Sequence, residues 1–327
     1  MALNQKVYKN NVKIMVRLKK IVTEFLFHCR VEKNLSINTL KAYLQDLNQF
    51  TYYLSQKEKV VDIEKIDKKI LRNYLKQLIE GNKVKTVKRK IATLKALFNY
   101  LEFEDIISIN PFRKMRVKIK EPLHLPGVLT LNEVKTLFQA AYKVKHECED
   151  RGTYYYKSIV RDIVALELLF ATGIRVSELC NLKKGNVNIE QKYIQVSGKG
   201  SKERVVQLCS QEIVSILEEY LGLFHPPDIH FSYFFINRLG HRLSEQSVRF
   251  MIKKYTELSG LKKPVTPHMF RHTFATLLLE EEVDIRYIQQ LLGHSTITTT
   301  QIYTHVTKNK QKEILTNRHP RRNFKIK

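Results

Sequence analysis

Signals for metal or nucleotide chemistry are missing from this sequence. The four cysteines, Cys29, Cys148, Cys180 and Cys209, lie far apart, with no CxxC pair and no histidine at finger spacing. That excludes a zinc finger and a disulfide framework, and it fits free thiols in a reducing cytoplasm. No glycine-rich GxxxxGK phosphate loop is present, so ATP is not implied. No acidic set of the kind that holds magnesium accompanies the candidate active segments, which contain only Glu178 and Glu203; the expectation is a reaction without metal or other cofactor. The longest apolar stretch, Ile159 to Ile174, is interrupted by Arg161, Asp162 and Glu167 and cannot span a bilayer. No apolar segment of signal-peptide type follows Met1 to Lys6, which argues against secretion and for the cytoplasm. Internal repeats and low-complexity tracts are absent as well.

Negative charge is scarce. Against 57 Lys and Arg stand 32 Asp and Glu, a formal net charge of +25. The excess is spread along the chain, with 27 basic and 12 acidic residues already in positions 1–125. A surface of this kind concentrates polyanions and makes affinity steeply salt-dependent, so nucleic acid is the leading partner. A lysine-rich solvated surface with no such partner has the same composition, and charge alone does not separate the two.

The chain has room for two domains, each able to bury a core. From Ile14 to Leu101 the pattern is of successive amphipathic helices. One stripe runs through Leu40, Tyr43, Leu44, Leu47, Phe50 and Leu54 behind a start signal at Ser36 and Thr39. A second takes Ile70, Leu71, Tyr74, Leu75 and Leu78. A third, after the basic run Lys83 to Lys90, takes Ile91, Leu94, Leu97, Phe98 and Leu101. Prolines and basic residues between Asn110 and Gly127 break the periodicity and predict an extended linker. Helical patterns resume at Thr130, with a polar, tyrosine-rich insert expected near Lys143 to Tyr156. Two short strands, Tyr193 to Val196 and Arg204 to Leu208, flank a glycine-containing turn, and a further strand is expected at Tyr233 to Ile236.

The chemistry gathers toward the C-terminal end. His268-Met269-Phe270-Arg271-His272 is followed by Leu292-Gly293-His294 and then by Tyr303. On a helix His268 and Arg271, three apart, share a face, so an imidazole and a guanidinium fork can converge on one tetrahedral anion. Upstream, Arg175 follows Gly173 in Gly173-Ile174-Arg175-Val176-Ser177-Glu178-Leu179, at a helix start. By itself Arg175 is better explained as an ion pair with Glu178 at helical spacing. A phosphodiester repels nucleophiles and has a poor leaving group, so its cleavage needs charge neutralisation and a proton donor. This residue set suits that task.

Four segments in order, ATGIRVSEL, SGKGSKERVVQL, TPHMFRHTFATLLLE and LLGHSTITTTQIYTHV, resemble the motifs of the tyrosine recombinases, the phage-integrase and Xer family. The resemblance spans most of the chain. It implies a mainly α fold: an N-terminal helical DNA core-binding bundle over residues 1–115, a basic linker over 116–127, and a mostly helical catalytic domain with a small antiparallel β-sheet over 128–327. It further implies that Arg175 and Arg271 clamp the scissile phosphate, that Lys199 is the general acid, and that His268 assists as base. His294 then donates to a non-bridging oxygen and Tyr303 is the nucleophile, which must lose a proton from a phenol of ordinary pKa about 10. His272 and His305 fall outside the matched positions and read as structural, Tyr287 reads as packing, and Lys202 and Arg204 read as contacts to the DNA backbone.

The partners implied are double-stranded DNA recombination sites and three further copies of the chain, a homo-tetramer on a Holliday junction. A second recombinase or an accessory DNA-bending protein would join them. The basic amphipathic segment Lys308 to Leu315 is expected to dock on a neighbouring protomer. Two rivals stand beside this reading: a type IB topoisomerase, which shares the chemistry without site choice, and a DNA-binding module without catalysis. Within the recombinases, a dedicated Xer protein and a mobile-element integrase remain open, because the insert near 143–156 departs from the compact Xer pattern.

Overall fold

The computed structural model describes residues 18–58, 62–120, 127–198, 203–208, 210–226 and 231–293. The chain divides into two compact units, residues 1–123 and 124–327. Lys199, His294 and Tyr303, together with Lys202, Cys209, His305 and the segment 308–315, lie outside the described residues.

The N-terminal unit is a helical bundle: α1 (residues 18–31), α2 (Ile37–Tyr53, extended by a π-helical turn to Glu58), α3 (Lys68–Gly81) and α4 (Val84–Phe103). Ser36 caps α2 by accepting from the Thr39 backbone N–H at 3.2 Å, and Asp67 caps α3 through Ile70 at 2.9 Å. The stripes of α3 and α4 are buried as their spacing predicts, except that Ile70 is only partly so. On α2 the stripe is only partly buried: Leu47, Phe50 and Leu54 are buried, while Leu44 is exposed and Asp46, outside the apolar stripe, is buried.

Asp46 is the buried charge of α2. It is 2% exposed and receives Arg89 and Lys90 from α4, with Thr93 Oγ1 donating to it at 3.0 Å. Lys90 also reaches Gln49. A buried carboxylate is tolerable only when paired and hydrogen-bonded in this way. Two cations of the Lys83 to Lys90 run are thus paired with the bundle's buried carboxylate, Lys90 as a buried side chain and Arg89 from the surface. Beyond α4, Val117 and Ile119 pack against the same core, so the first residues of the expected linker belong structurally to the bundle.

The second unit is built around α6 (Tyr154–Thr172), whose residues from Ile163 to Leu166, with Leu168 and Leu169, are fully buried. A helix apolar on nearly all sides needs neighbours on all sides. They are α5 (Leu131–His146), α8 (Gln211–Phe224), α9 (Glu245–Leu258) and α10 (Pro267–Glu280), with the short α7 (Val176–Asn181) following α6 and α11 (Ile285–Leu292) packing on α10. Thr130 and Glu133 form a reciprocal capping box at the start of α5. The insert expected at Lys143 to Tyr156 is shorter than that: α5 runs on to His146 and α6 begins at Tyr154, with Tyr156 buried.

One three-stranded antiparallel sheet, β1 (Val187–Asn188), β2 (Tyr193–Ser197) and β3 (Glu203–Gln207), lies in this unit in the order β1-β2-β3. The β2–β3 pairing follows the expected hairpin, with Val196 opposite Arg204 and Ser197 opposite Glu203. No strand forms at Tyr233 to Ile236; Tyr233 and Ile236 make isolated bridges to Lys183 and Arg242. Phe234 and Phe235 between them are instead held in an aromatic cluster with Tyr220.

Candidate active site

Three arginines meet where two helices end. Helix α6 terminates at Gly173, whose φ of 60° is a left-handed cap, and α11 terminates at Gly293, φ 64°. Helix C-termini expose carbonyls without intrahelical partners and carry partial negative charge. Arg271, 4% exposed, donates through Nη1 to the Gly173 carbonyl at 2.8 Å and through Nη2 to that of Leu292 at 2.6 Å. Arg204 donates through Nε to Leu291 at 2.7 Å, and Arg175 Nη2 approaches Gly293 at 3.5 Å.

Besides these four carbonyls, the arginines share one carboxylate acceptor, Glu178. Its Oε1 accepts from Arg175 Nη1 at 2.8 Å and Arg204 Nη1 at 3.1 Å, and its Oε2 from Arg204 Nη2 and the Arg175 backbone N–H, both at 2.8 Å. Burial pushes this carboxyl up, but the hydrogen bonds from Arg204 and Arg175 outweigh that and hold it below the usual carboxylate range. One carboxylate and two helix ends thus offset the repulsion among three guanidiniums. The ion pair of Arg175 with Glu178 therefore exists alongside the phosphate role implied for Arg175. Arg175 is the N-cap residue of α7, one position before its first turn, with a side chain 35% exposed.

Local sequence forces this junction. At Gly173 a Cβ would lie 2.6 Å from Phe274 Cδ1, and at Gly293 one would lie 2.9 Å from Arg204 Nη1. Only glycine combines a positive φ with so little space. Helix α10 is set by Pro267 in its first turn behind the Thr266 cap, and Thr273 pins it by accepting from the Leu129 N–H at 2.8 Å.

His268, at the exposed start of α10, lies within reach of the charges of Arg271, Arg249 and Arg175. Desolvation first, and then those three cations, lower its pKa, so the imidazole is neutral at pH 7 and fit to accept a proton. A groove of about 630 Å³, lined by Val176, Arg249, Lys253, Thr256, Val265 and others, opens beside it. His272 is pushed down to about 4 by burial, His268 and Arg271.

The described residues thus bring Arg175, His268 and Arg271 into one region, and the sequence continues from Gly293 directly into His294. Arg204 does not serve as a free DNA contact: its side chain is 12% exposed and all three nitrogens donate within the protein. Strand alternation carries the signal for this, since Arg204 shares the inward face of β3 with the buried Val206. Glu178 likewise stands at capping-box spacing from Arg175. Arg249 gave no sequence signal; it reaches His268 only through the packing of α9 beside α10. Tyr287 is 64% exposed, so it is Ile288 and Leu292 that pack α11, and Tyr287 is not a core residue.

Residues 127–310 match the model of the phage integrase family, and residues 22–105 match that family's N-terminal SAM-like domain. The chain belongs to the phage integrase family: it is a tyrosine recombinase, an enzyme of site-specific DNA recombination. A tyrosine recombinase of Agathobacter rectalis is 45% identical over 310 residues, covering 95% of this chain and 99% of that protein. Tyrosine recombinase XerD of Listeria innocua serovar 6a is 36% identical over 309 residues, covering 93% of this chain and all of the relative. In fold the chain resembles the XerH recombinase bound to palindromic difH substrate, with a TM-score of 0.73 and 24% identity over 90% of this chain and 84% of that one. It also resembles a lambda integrase in a tetramer bound to a Holliday junction, with a TM-score of 0.67 and 20% identity over 88% and 76%.

Proposed function

We propose that this recombinase cuts and rejoins double-stranded DNA through Tyr303, in the manner of an Xer protein. The observation that carries the reading is the convergence of Arg175, Arg271 and a neutral His268 at the junction from which the chain runs on to His294 and Tyr303. The Tyr303 phenol oxygen, its proton taken by His268, attacks the scissile phosphorus. The bond to the 5′ oxygen breaks, and that oxygen takes a proton from the Lys199 ammonium. Arg175, Arg271 and His294 hold the charge developing on the non-bridging oxygens. The 5′ hydroxyl of a partner strand then attacks the 3′-phosphotyrosine and releases Tyr303, so the bond energy is conserved without ATP. The N-terminal bundle, residues 1–115, grips the DNA beside the cut, and 116–127 links it to the catalytic domain, 128–327. Near full-length similarity to proteins named XerC and XerD favours an Xer-like cytoplasmic enzyme over a topoisomerase.

Exchange between two duplexes calls for four protomers on a Holliday junction, and the segment 308–315 is the candidate contact between neighbours. Deleting residues after Lys308 should leave single-site binding on native gels intact while lowering recombination of a two-site plasmid; undiminished recombination would reject that contact.

The decisive test is covalent capture. Nicked suicide duplexes with randomised arms, incubated with the protein in EDTA, should yield a protein–DNA adduct on denaturing gels. Tyr303→Phe should still bind the selected duplexes but form no adduct. An adduct with the Phe variant would assign another nucleophile, and loss of the adduct in EDTA restored by magnesium would reject the mechanism.

A further inference from the structure

We infer that Arg204 is a positioning residue for strand cleavage, tying the β2–β3 hairpin to the phosphate-clamping Arg175 and to the segment that leads into His294. The inference rests on the proposed roles of Lys199 and Tyr303. Three contacts made by one side chain carry it. Through Nη1 and Nη2, at 3.1 and 2.8 Å, Arg204 grips both oxygens of Glu178, the carboxylate that also holds Arg175 at 2.8 Å. Through Nε it holds the Leu291 carbonyl at 2.7 Å, two residues before Gly293. Its Nη1 fills the space where any Cβ at Gly293 would sit.

Its place in the hairpin gives those contacts their consequence. Ser197 pairs with Glu203 as the last pair of β2 and β3, so residues 198–202, Lys199 among them, connect the two strands. Arg204 is the first inward-facing residue after that connection. A hairpin end is held by its strand pairs along its length, but nothing in those pairs fixes its distance from α7 or α11. The Arg204 fork does. It is planar and bidentate, so it sets angle as well as distance, which a lysine cannot reproduce. General acid, clamp and nucleophile must align together, and a misplacement of about 1 Å costs up to roughly a hundredfold in rate.

A strut that merely kept the domain folded would slow every substrate alike. A residue that sets the reach of the general acid would not. When the bridging 5′ oxygen of the scissile phosphate is replaced by sulfur, the leaving thiolate needs no proton, and a misplaced Lys199 matters less. Single-turnover covalent capture is therefore measured on oxygen- and sulfur-bridged nicked duplexes for wild-type protein, Arg204→Ala and Arg204→Lys. DNA affinity is measured in parallel.

Arg204→Ala is expected to bind within about twofold of wild type yet cleave the oxygen substrate about tenfold to a hundredfold more slowly, with about tenfold of that loss recovered on the sulfur substrate. Arg204→Lys, which keeps the charge and stays folded if the alanine variant does not, should show the same recovery at smaller amplitude. Equal slowing on both substrates, or no slowing by either variant, would overturn the positioning role. Absence of any adduct with wild-type protein on either substrate would overturn the Tyr303 reading, and the Arg204 role with it.

Discussion

Arg271 donates to the carbonyl of Gly173 at 2.8 Å across 98 residues of sequence, so the guanidinium proposed to clamp the phosphate is also the cap of helix α6. The same side chain caps α11 through Leu292. Function and stability are therefore joined in one residue.

Replacing Arg271 with alanine should cost more than activity. Two buried carbonyls lose charged donors, which destabilises by about 2 to 4 kcal/mol. Chemical denaturation should show this for the catalytic unit, and a variant as stable as wild type would mean that solvent or another donor replaces the guanidinium.

Gly173→Ala should destabilise even though it adds one methyl group. The positive φ costs about 1 to 3 kcal/mol, and the new Cβ, 2.6 Å from Phe274, forces that ring aside. Phe274→Ala in the same chain should recover part of the loss by removing the clash while leaving the backbone strain. Thermal melts of the two variants and their combination measure the coupling, and strict additivity would contradict it.

His272 should make the fold acid-sensitive. Its folded-state pKa, pushed down to about 4, lies below the value near 6.5 of the unfolded chain. Between those values the unfolded chain binds the extra proton, so unfolding free energy falls as pH drops from about 6.5 to about 4. His272→Gln should flatten that slope in urea titrations taken across the window, and an unchanged slope would assign the acid sensitivity elsewhere.

Arg249 should tune His268. Its positive field disfavours the imidazolium, so Arg249→Gln raises the His268 pKa toward its ordinary value. Imidazole proton NMR across pH should record the upward shift. If the base must be neutral, the acid limb of the covalent-capture rate moves up with it, and an unmoved limb would exclude His268 as the base.

Much of this protein was determined by its sequence alone. Helical periodicity located the stripes of α3 and α4, serine and threonine marked helix starts, and the order of the four motifs specified the family. These are local or linear properties, set by side chains a few residues apart, and they survive without knowledge of what packs on what. On α2 periodicity misled at two positions, since Leu44 of the stripe is exposed while Asp46, paired with Arg89 and Lys90, is buried. Only the tertiary structure decided that Arg204 faces inward to Glu178, that Arg271 caps two helices, and that Arg249 shades His268. Each of those relations joins segments distant in sequence, and a guanidinium's partner depends on which carbonyls and carboxylates the fold leaves unsatisfied beside it.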